Sequence, residues 1–281
     1  MEWFEETLYP NIGQRFQVTK IVFRDKTEHQ DLVIFETPVL GRVLALDGVI
    51  QVTEGDEYVY HEMLTHVPLT AHGKAKRVLI IGGGDGGIAR EVLKHPVERV
   101  VMVEIDRAVV DLCVEYMPGV SAGAFDDKRL DLVIADGCKY MAETEERFDL
   151  IVVDSTDPQG PGEVLFTETF YRDCKRALAP GGVLCVQDGV PFLQPEELVM
   201  VNGRLKKIFA DAYAYVAAIP TYYGGLMALG WATDDKALRH TPAEVLRERF
   251  GKLGIKTKYY TPDLHVGAFH PPRFIAEKLE G

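Results

Sequence analysis

The chain has 281 residues, 47% hydrophobic and 26% charged, which excludes disordered, collagen-like and disulfide-scaffold classes. Its 31 basic and 43 acidic residues leave a net charge of −12, a field that repels nucleic acid and attracts cationic ligands. The four cysteines (Cys113, Cys138, Cys174, Cys185) form no C-x-x-C pair, so buried free thiols are expected rather than a zinc or redox motif.

The acidic start from Met1 to Glu6 lacks a signal-peptide pattern, so a cytoplasmic location is expected. Up to about Thr53, runs such as Arg15–Phe23, Asp31–Phe35 and Arg42–Leu46, the last followed by an Asp47-Gly48 turn, read as short antiparallel strands. They assign residues 1–53 to a small β-strand domain and leave 54–281 for a second, larger one. A helix is expected from Gly55 to about Thr70, ending near Pro68.

From Lys76 the pattern changes to strand–helix alternation. The apolar runs Arg77–Ile81, Val100–Val103, Leu132–Ala135, Leu150–Val153 and Val183–Val186 alternate with helical segments near 87–95, 106–117, 137–146 and 167–178. Continuous apolar runs mark strands buried on both faces, hence an α/β, Rossmann-like, doubly wound and mainly parallel sheet. The uncharged run Ala212–Thr233 has the length of a membrane helix. Pro220, Gly224, Gly225 and Gly230 break it into two buried strands joined by a turn.

Ligands of such sheets bind outside the carboxyl ends of the strands. There the sequence places Gly82-Gly83-Gly84-Asp85-Gly86-Gly87, Glu104-Ile105-Asp106, Asp136-Gly137 and Asp154-Ser155-Thr156-Asp157-Pro158. Gly82, Gly84 and Gly87 satisfy G-x-G-x-x-G, with Glu104 near the ~20-residue offset of a ribose-binding acid. The motif alone also fits a nicotinamide enzyme. Asp85, however, puts a carboxylate where a pyrophosphate would lie, unless it serves only as a helix N-cap. A nucleoside without phosphates is the better guest. S-adenosylmethionine carries a carboxylate that Asp85 would also repel, whereas its decarboxylated form is a sulfonium with a primary ammonium. That cation suits an acidic rim.

These residues resemble the spermidine synthases, the polyamine aminopropyltransferases, over nearly the whole chain. The resemblance rests on His29-Gln30-Asp31, Leu46-Asp47-Gly48-Val49-Ile50-Gln51 and Tyr58-Val59-Tyr60-His61-Glu62-Met63. It extends through the glycine motif, the strand-end acids, the run from Asp154 to Pro161, and Ile219-Pro220-Thr221-Tyr222. It implies transfer of an aminopropyl group from decarboxylated S-adenosylmethionine to putrescine, giving spermidine and methylthioadenosine. Asp154 would accept the proton of the attacking amine, with Tyr60 and Ser155 holding that amine. His61, Asp157 and Tyr222 would line the substrate channel, and Asp85 would grip the aminopropyl ammonium. Glu104 would bind the ribose, Asp136 and Gly137 the adenine edge, and Gln30, Gln51 and Pro161 the remaining nucleoside surface. Some relatives carry Gln at the position of His61, and some a tryptophan at that of Tyr9.

The strand-end acids come from separate strands and no phosphate substrate is implied, so neither a metal nor a resident cofactor is expected. The donor is a co-substrate. The segment Pro158–Gly162 reads as a lid over the site. Expected partners are the two small substrates and further copies of the chain, as homodimer or homotetramer, with no nucleic acid and no membrane. The rival readings are an amine N-methyltransferase, aminopropyl transfer to cadaverine or agmatine, a silent polyamine- or nucleoside-binding protein, and a nicotinamide oxidoreductase.

Overall fold

The computed structural model describes residues 2–156 and 160–280; the side chain of Pro161 lies outside that description. In the N-terminal region β1 (Glu2–Glu5) and β2 (Arg15–Val18) form a hairpin. The strands β3 (Lys20–Lys26), β4 (Asp31–Thr37), β5 (Gly41–Leu46) and β6 (Val49–Thr53) form an antiparallel meander. Strand alternation splits β4 between two cores, as the period of two requires. Val33 and Phe35 pack within the N-terminal sheets, while Leu32 and Ile34 reach Val109 and Cys113 across the domain junction.

The chain then enters α1 (Glu57–His72), buried throughout from Val59 onward. Pro68 lies inside this helix and does not end it, contrary to the sequence expectation. An interior proline costs about 3 kcal/mol. Burying four turns against the sheet and its neighbours outweighs that. Most polar groups on so buried a helix need partners, although Thr65 Oγ1 has none among the described residues. Glu62, for instance, accepts the backbone N–H groups of Lys258, Tyr259 and Tyr260.

The main sheet is built from β7 (Arg77–Gly82), β8 (Arg99–Glu104), β9 (Leu130–Ile134), β10 (Phe148–Asp154), β11 (Leu178–Gln187), β12 (Asp211–Ala218) and β13 (Leu226–Thr233). Its order is β12-β13-β11-β10-β7-β8-β9. The five strands from β11 to β9 are parallel, and β13 pairs antiparallel with β11 and β12. Along β7, Val78 and Ile80 face one core, with α1 and α2 (Gly87–Leu93), while Leu79 and Ile81 face the other. Helices thus cover both faces. The chain order reverses between β7 and β10, which lie side by side with Gly82 opposite Asp154. Open α/β sheets bind their ligands at such a switch point.

Helix α3 (Arg107–Tyr116) follows β8, then the short α4 (Pro118–Ser121). Helix α5 (Gly137–Glu143) follows β9, α6 (Glu168–Ala177) precedes β11, and α7 (Pro195–Ile208) precedes β12. Three C-terminal helices, α8 (Ala243–Leu253), α9 (Pro262–Ala268) and α10 (Arg273–Glu280), close the structure. The sequence pattern had left them unassigned. All four cysteines are free; Cys113, Cys174 and Cys185 are buried and Cys138 is half-buried.

Candidate active site

A cavity of about 420 Å³ opens over the carboxyl ends of β7, β8, β9 and β10, within the usual range for small-molecule sites. The strand-end acids Asp85, Glu104, Asp136 and Asp154 all line it. So do Gln30, Gln51, Tyr60, His61, Gly137, Ser155 and Tyr222. Of the residues singled out from sequence, Asp157 lies outside the described residues, as do Pro158 and Gln159 of the segment read as a lid. The contacts of the Pro161 side chain lie outside them too.

The glycine turn after β7 is fixed by its neighbours. Gly82 has φ of +82°, and a β-carbon there would lie 2.0 Å from the carbonyl oxygen of Asp154. Only glycine meets both demands. The turn delivers Asp85, whose Oδ1 accepts the Gly87 N–H at 2.6 Å while Oδ2 faces His61 Nε2 at 3.4 Å. Asp85 therefore steadies the start of α2 and also borders the cavity. The N-cap position itself is Gly86, so Asp85 is not the cap residue that the sequence offered as its plainer reading.

Asp154 ends β10, and its Oδ1 accepts the Tyr60 hydroxyl at 2.7 Å. Burial, and then the charge of Asp85, push the Asp154 carboxyl above the ordinary carboxylate range. Tyr60 is pushed well above its usual range by burial and by Asp154, so it stays protonated and donates. Beyond it stands an aromatic wall. Tyr60 meets Tyr222 edge-on at 5.9 Å between ring centroids, and Tyr9 meets Tyr223 in the same way at 5.5 Å. Ring faces of this kind attract alkylammonium groups. The Ser155 hydroxyl is buried with no hydrogen-bond partner among the described residues.

Another part of the cavity is built from strand ends and the N-terminal sheet. Glu104 is buried at the end of β8, and its Oε1 accepts the Asp106 N–H at 2.9 Å. Burial pushes its pKa up to about 7. Asp136 caps α5 through Oδ1, which accepts from Cys138 and Lys139, and its side chain is exposed to the cavity. Gln30 donates to Asp106 Oδ2 at 3.0 Å, and Thr27 donates to the same oxygen at 2.7 Å. Gln51 contributes a backbone carbonyl to the Tyr222 hydroxyl.

His61 lines the cavity, as the sequence led one to expect, but turns no free ring nitrogen towards it. Its side chain is only 2% exposed, and both ring nitrogens face carboxylates: Nδ1 meets Glu57 at 2.6 Å and Nε2 meets Asp85. Neither nitrogen is left for a diamine. The sequence reading missed Glu57, whose partner Arg90 comes from α2, and also Glu6 and Gln187, which line the cavity. It missed Asp56 as well, which accepts the Thr221 N–H at 2.7 Å and ties the β12–β13 turn to the start of α1.

A doubly wound sheet with an acid at each of four strand ends, all facing one nucleoside-sized cavity, defines a Rossmann-like enzyme of the nucleoside-dependent transferase type. Residues 57–241 match the spermine/spermidine synthase domain, and residues 2–54 match the spermidine synthase tetramerisation domain. The polyamine aminopropyltransferase of Pseudomonas syringae pv. tomato is 57% identical over 276 residues, 98% of this chain and 96% of that protein. Polyamine aminopropyltransferase 1 of Pseudomonas aeruginosa is 56% identical over 99% of this chain and 98% of its own length. Among solved structures, a spermidine synthase in complex with the transition-state analogue AdoDATO matches with a TM-score of 0.94 at 37% identity, covering 99% of this chain and 95% of that one. Spermidine synthase from Thermotoga maritima matches at 0.91 and 36%, covering 99% and 94%. The chain belongs to the spermine/spermidine synthase family, and it is an enzyme of the aminopropyltransferase class. Among the described residues, no helix is long and apolar enough to cross a membrane.

Proposed function

We propose that the enzyme transfers the aminopropyl group of decarboxylated S-adenosylmethionine to putrescine, releasing spermidine and 5′-methylthioadenosine. The observation that carries this reading is the pairing of Asp154 with Tyr60 in the same cavity as Asp85. In this reading Asp154 would relieve the nucleophilic amine of its proton, and Asp85 would receive the donor's ammonium. The solved relative bearing a transition-state analogue, and the names of the curated relatives, support it.

In this reading the amine lone pair attacks the aminopropyl carbon bonded to sulfur. A C–N bond forms, the C–S bond breaks, and the sulfonium leaves as a neutral thioether. The surplus proton on nitrogen passes to Asp154 or through it to water. A diamine nitrogen with pKa ~10 costs roughly 4 kcal/mol to hold as free base at neutral pH. A nearby sulfonium and partial desolvation lower that cost. An Asp154 carboxyl raised by burial is a better-matched acceptor than an ordinary aspartate. Since the leaving group is good, the rest of the task is alignment. Glu104 would receive the ribose hydroxyls, Asp136 and Gly137 the adenine edge, and Gln30, Gln51 and Pro161 the nucleoside flanks. Ser155, Asp157 and Tyr222 would face the acceptor, with His61 acting from behind Asp85.

The strand-end acids are already engaged by Tyr60, His61 and backbone N–H groups. We therefore assign no metal and no resident cofactor, so turnover should survive a chelator. The family match of residues 2–54 supports assembly of several copies through the N-terminal sheets, as dimer or tetramer, testable by light scattering. The free cysteines fit a cytoplasmic enzyme. The deciding experiment offers the decarboxylated donor with putrescine, cadaverine, agmatine and spermidine, and separates the products by chromatography. Spermidine from putrescine as the main product supports the reading. A methylated amine formed from intact S-adenosylmethionine would overturn it.

A further inference from the structure

The buried face between α1 and α2 carries a continuous chain of ionisable groups that starts at the cavity. Asp85 faces His61, and His61 Nδ1 meets Glu57. Glu57 is clamped by Arg90 through two parallel contacts, Nη1 to Oε1 at 3.0 Å and Nη2 to Oε2 at 2.8 Å. Arg90 also binds Glu91, and Glu91 binds the His66–His95 pair. The first link is one helical turn long, since Glu57 and His61 are four residues apart on α1 and so share a face. The His61 ring is further walled in by the bare Cα of Gly87, where a β-carbon would lie 2.1 Å from Cε1.

We propose that Glu57 is a positioning residue: clamped by Arg90, it fixes the His61 ring so that Nε2–H meets Asp85 and aims that carboxylate into the cavity. The proposal rests on the assignment of Asp85 to the donor ammonium, and it extends the site by two residues that touch no substrate. The alternative to a donor on Nε2 is a lone pair facing a carboxylate, which would push Asp85 away. A protonated ring donates at both nitrogens and avoids this. Burial works against the charged ring, yet Asp85 and Glu57 outweigh it and hold the His61 pKa up at about 10. Burial would also raise Glu57, but His61 and Arg90 prevail and bring it down to about 2. The charged groups facing His61 are Glu57 on its own helix, Asp85 from the glycine turn and Asp154 from β10. Tyr60 beside it keeps its proton. With Glu57 made neutral, Asp85 and the more distant Asp154 are left to oppose the burial of the imidazolium, and the ring should lose its proton at a lower pH.

The test is Glu57→Gln, which keeps the shape and removes the charge. The His61 titration, read by imidazole NMR, should move down by at least one pH unit. The KM for the decarboxylated donor should then rise severalfold above the new His61 pKa, with kcat changing less. Affinity for methylthioadenosine, which lacks the ammonium, should stay within about twofold. In a His61→Gln background the same substitution should add nothing further to the donor KM. A loss equal for donor and methylthioadenosine and constant with pH would mean that Glu57 only packs two helices, and would overturn the proposal. If Glu57→Gln fails to fold, the wild-type spectrum decides: a His61 that is neutral at pH 8 overturns it, and one still protonated supports it. Asp85→Asn separates this outcome from failure of the functional reading. If Asp85→Asn weakens donor selectively and Glu57→Gln does not, only the Glu57 proposal falls.

Discussion

A β-carbon on Gly87 would sit 2.1 Å from Cε1 of His61, so the start of α2 and the histidine of α1 occupy each other's space to the limit. His61 cannot retreat, because both its nitrogens are held. Gly87→Ala should therefore cost about 1–3 kcal/mol of stability, the usual range for overpacking a rigid site. Thermal denaturation measures the cost. A variant as stable as the wild type with unchanged donor KM would show that the ring has slack.

Asp154→Asn removes the proton acceptor and keeps the Tyr60 contact geometry. Turnover should drop by about a hundredfold or more, the range of a general base, while methylthioadenosine still binds. In the wild type the Asp154 carboxyl is pushed up to about 6, by burial first and by Asp85 second. Below that pH it is protonated and cannot accept. The rate per free enzyme should thus fall on the acid side of about pH 6 and climb towards pH 8. An acid limb near 4 would contradict the buried environment.

Asp85→Asn should weaken the decarboxylated donor at least tenfold more than methylthioadenosine, as expected for loss of a charged contact of about 1.5–3 kcal/mol. Calorimetry on both ligands checks this. Equal losses would assign Asp85 to the Gly87 N–H alone.

Glu104 gives a prediction of opposite chemical sense. Burial holds its pKa up at about 7, so the empty site is half protonated near neutrality. Ribose hydroxyls donating to the carboxylate favour its charged form, so binding should expel the proton. Affinity for methylthioadenosine should then strengthen by about tenfold from pH 6 to pH 8, by linkage. Titrations in buffers of different ionisation heat will count the released proton. PH-independent affinity would remove Glu104 from the ribose contact.

Acceptor choice rests on the aromatic wall. Tyr60, Tyr222, Tyr9 and Tyr223 all line the cavity and pair edge-on, and in the proposed reading they close off the acceptor's far end, which would suit a short diamine better than a guanidinium or a triamine. Putrescine should exceed cadaverine in kcat/KM by a modest factor, one methylene being worth ~1–3 kcal/mol. Agmatine and spermidine should be poor. A higher value for either would reassign the acceptor and leave the aminopropyl chemistry standing.

The central strands were legible because burial on both faces writes an unbroken apolar run, as in Arg77–Ile81. The acid at each strand end was legible because the topology puts all those ends on one rim. Pro68 misled because local propensity says that a helix stops there, whereas the gain from burying α1 is a tertiary quantity. Glu57 passed as an ordinary acid in a first helical turn. Its i,i+4 spacing to His61 was readable, but Arg90 lies 33 residues on and meets it only through helix packing. Asp56 was hidden in the same way, since its partner Thr221 belongs to a turn formed by the last two strands of the sheet.

Asp106 joins the two parts of the molecule at one carboxylate. Oδ1 caps α3 through the Ala108 N–H, while Oδ2 collects Thr27 and Gln30 from the turn before β4. The residue just upstream that hands its carboxylate to Asp106 is Glu104. On the proposed assignment of Glu104 to the ribose, a lesion in the turn at 27–30 should surface at the bench as poorer affinity for methylthioadenosine, relayed through Asp106, in an enzyme whose reacting groups are untouched.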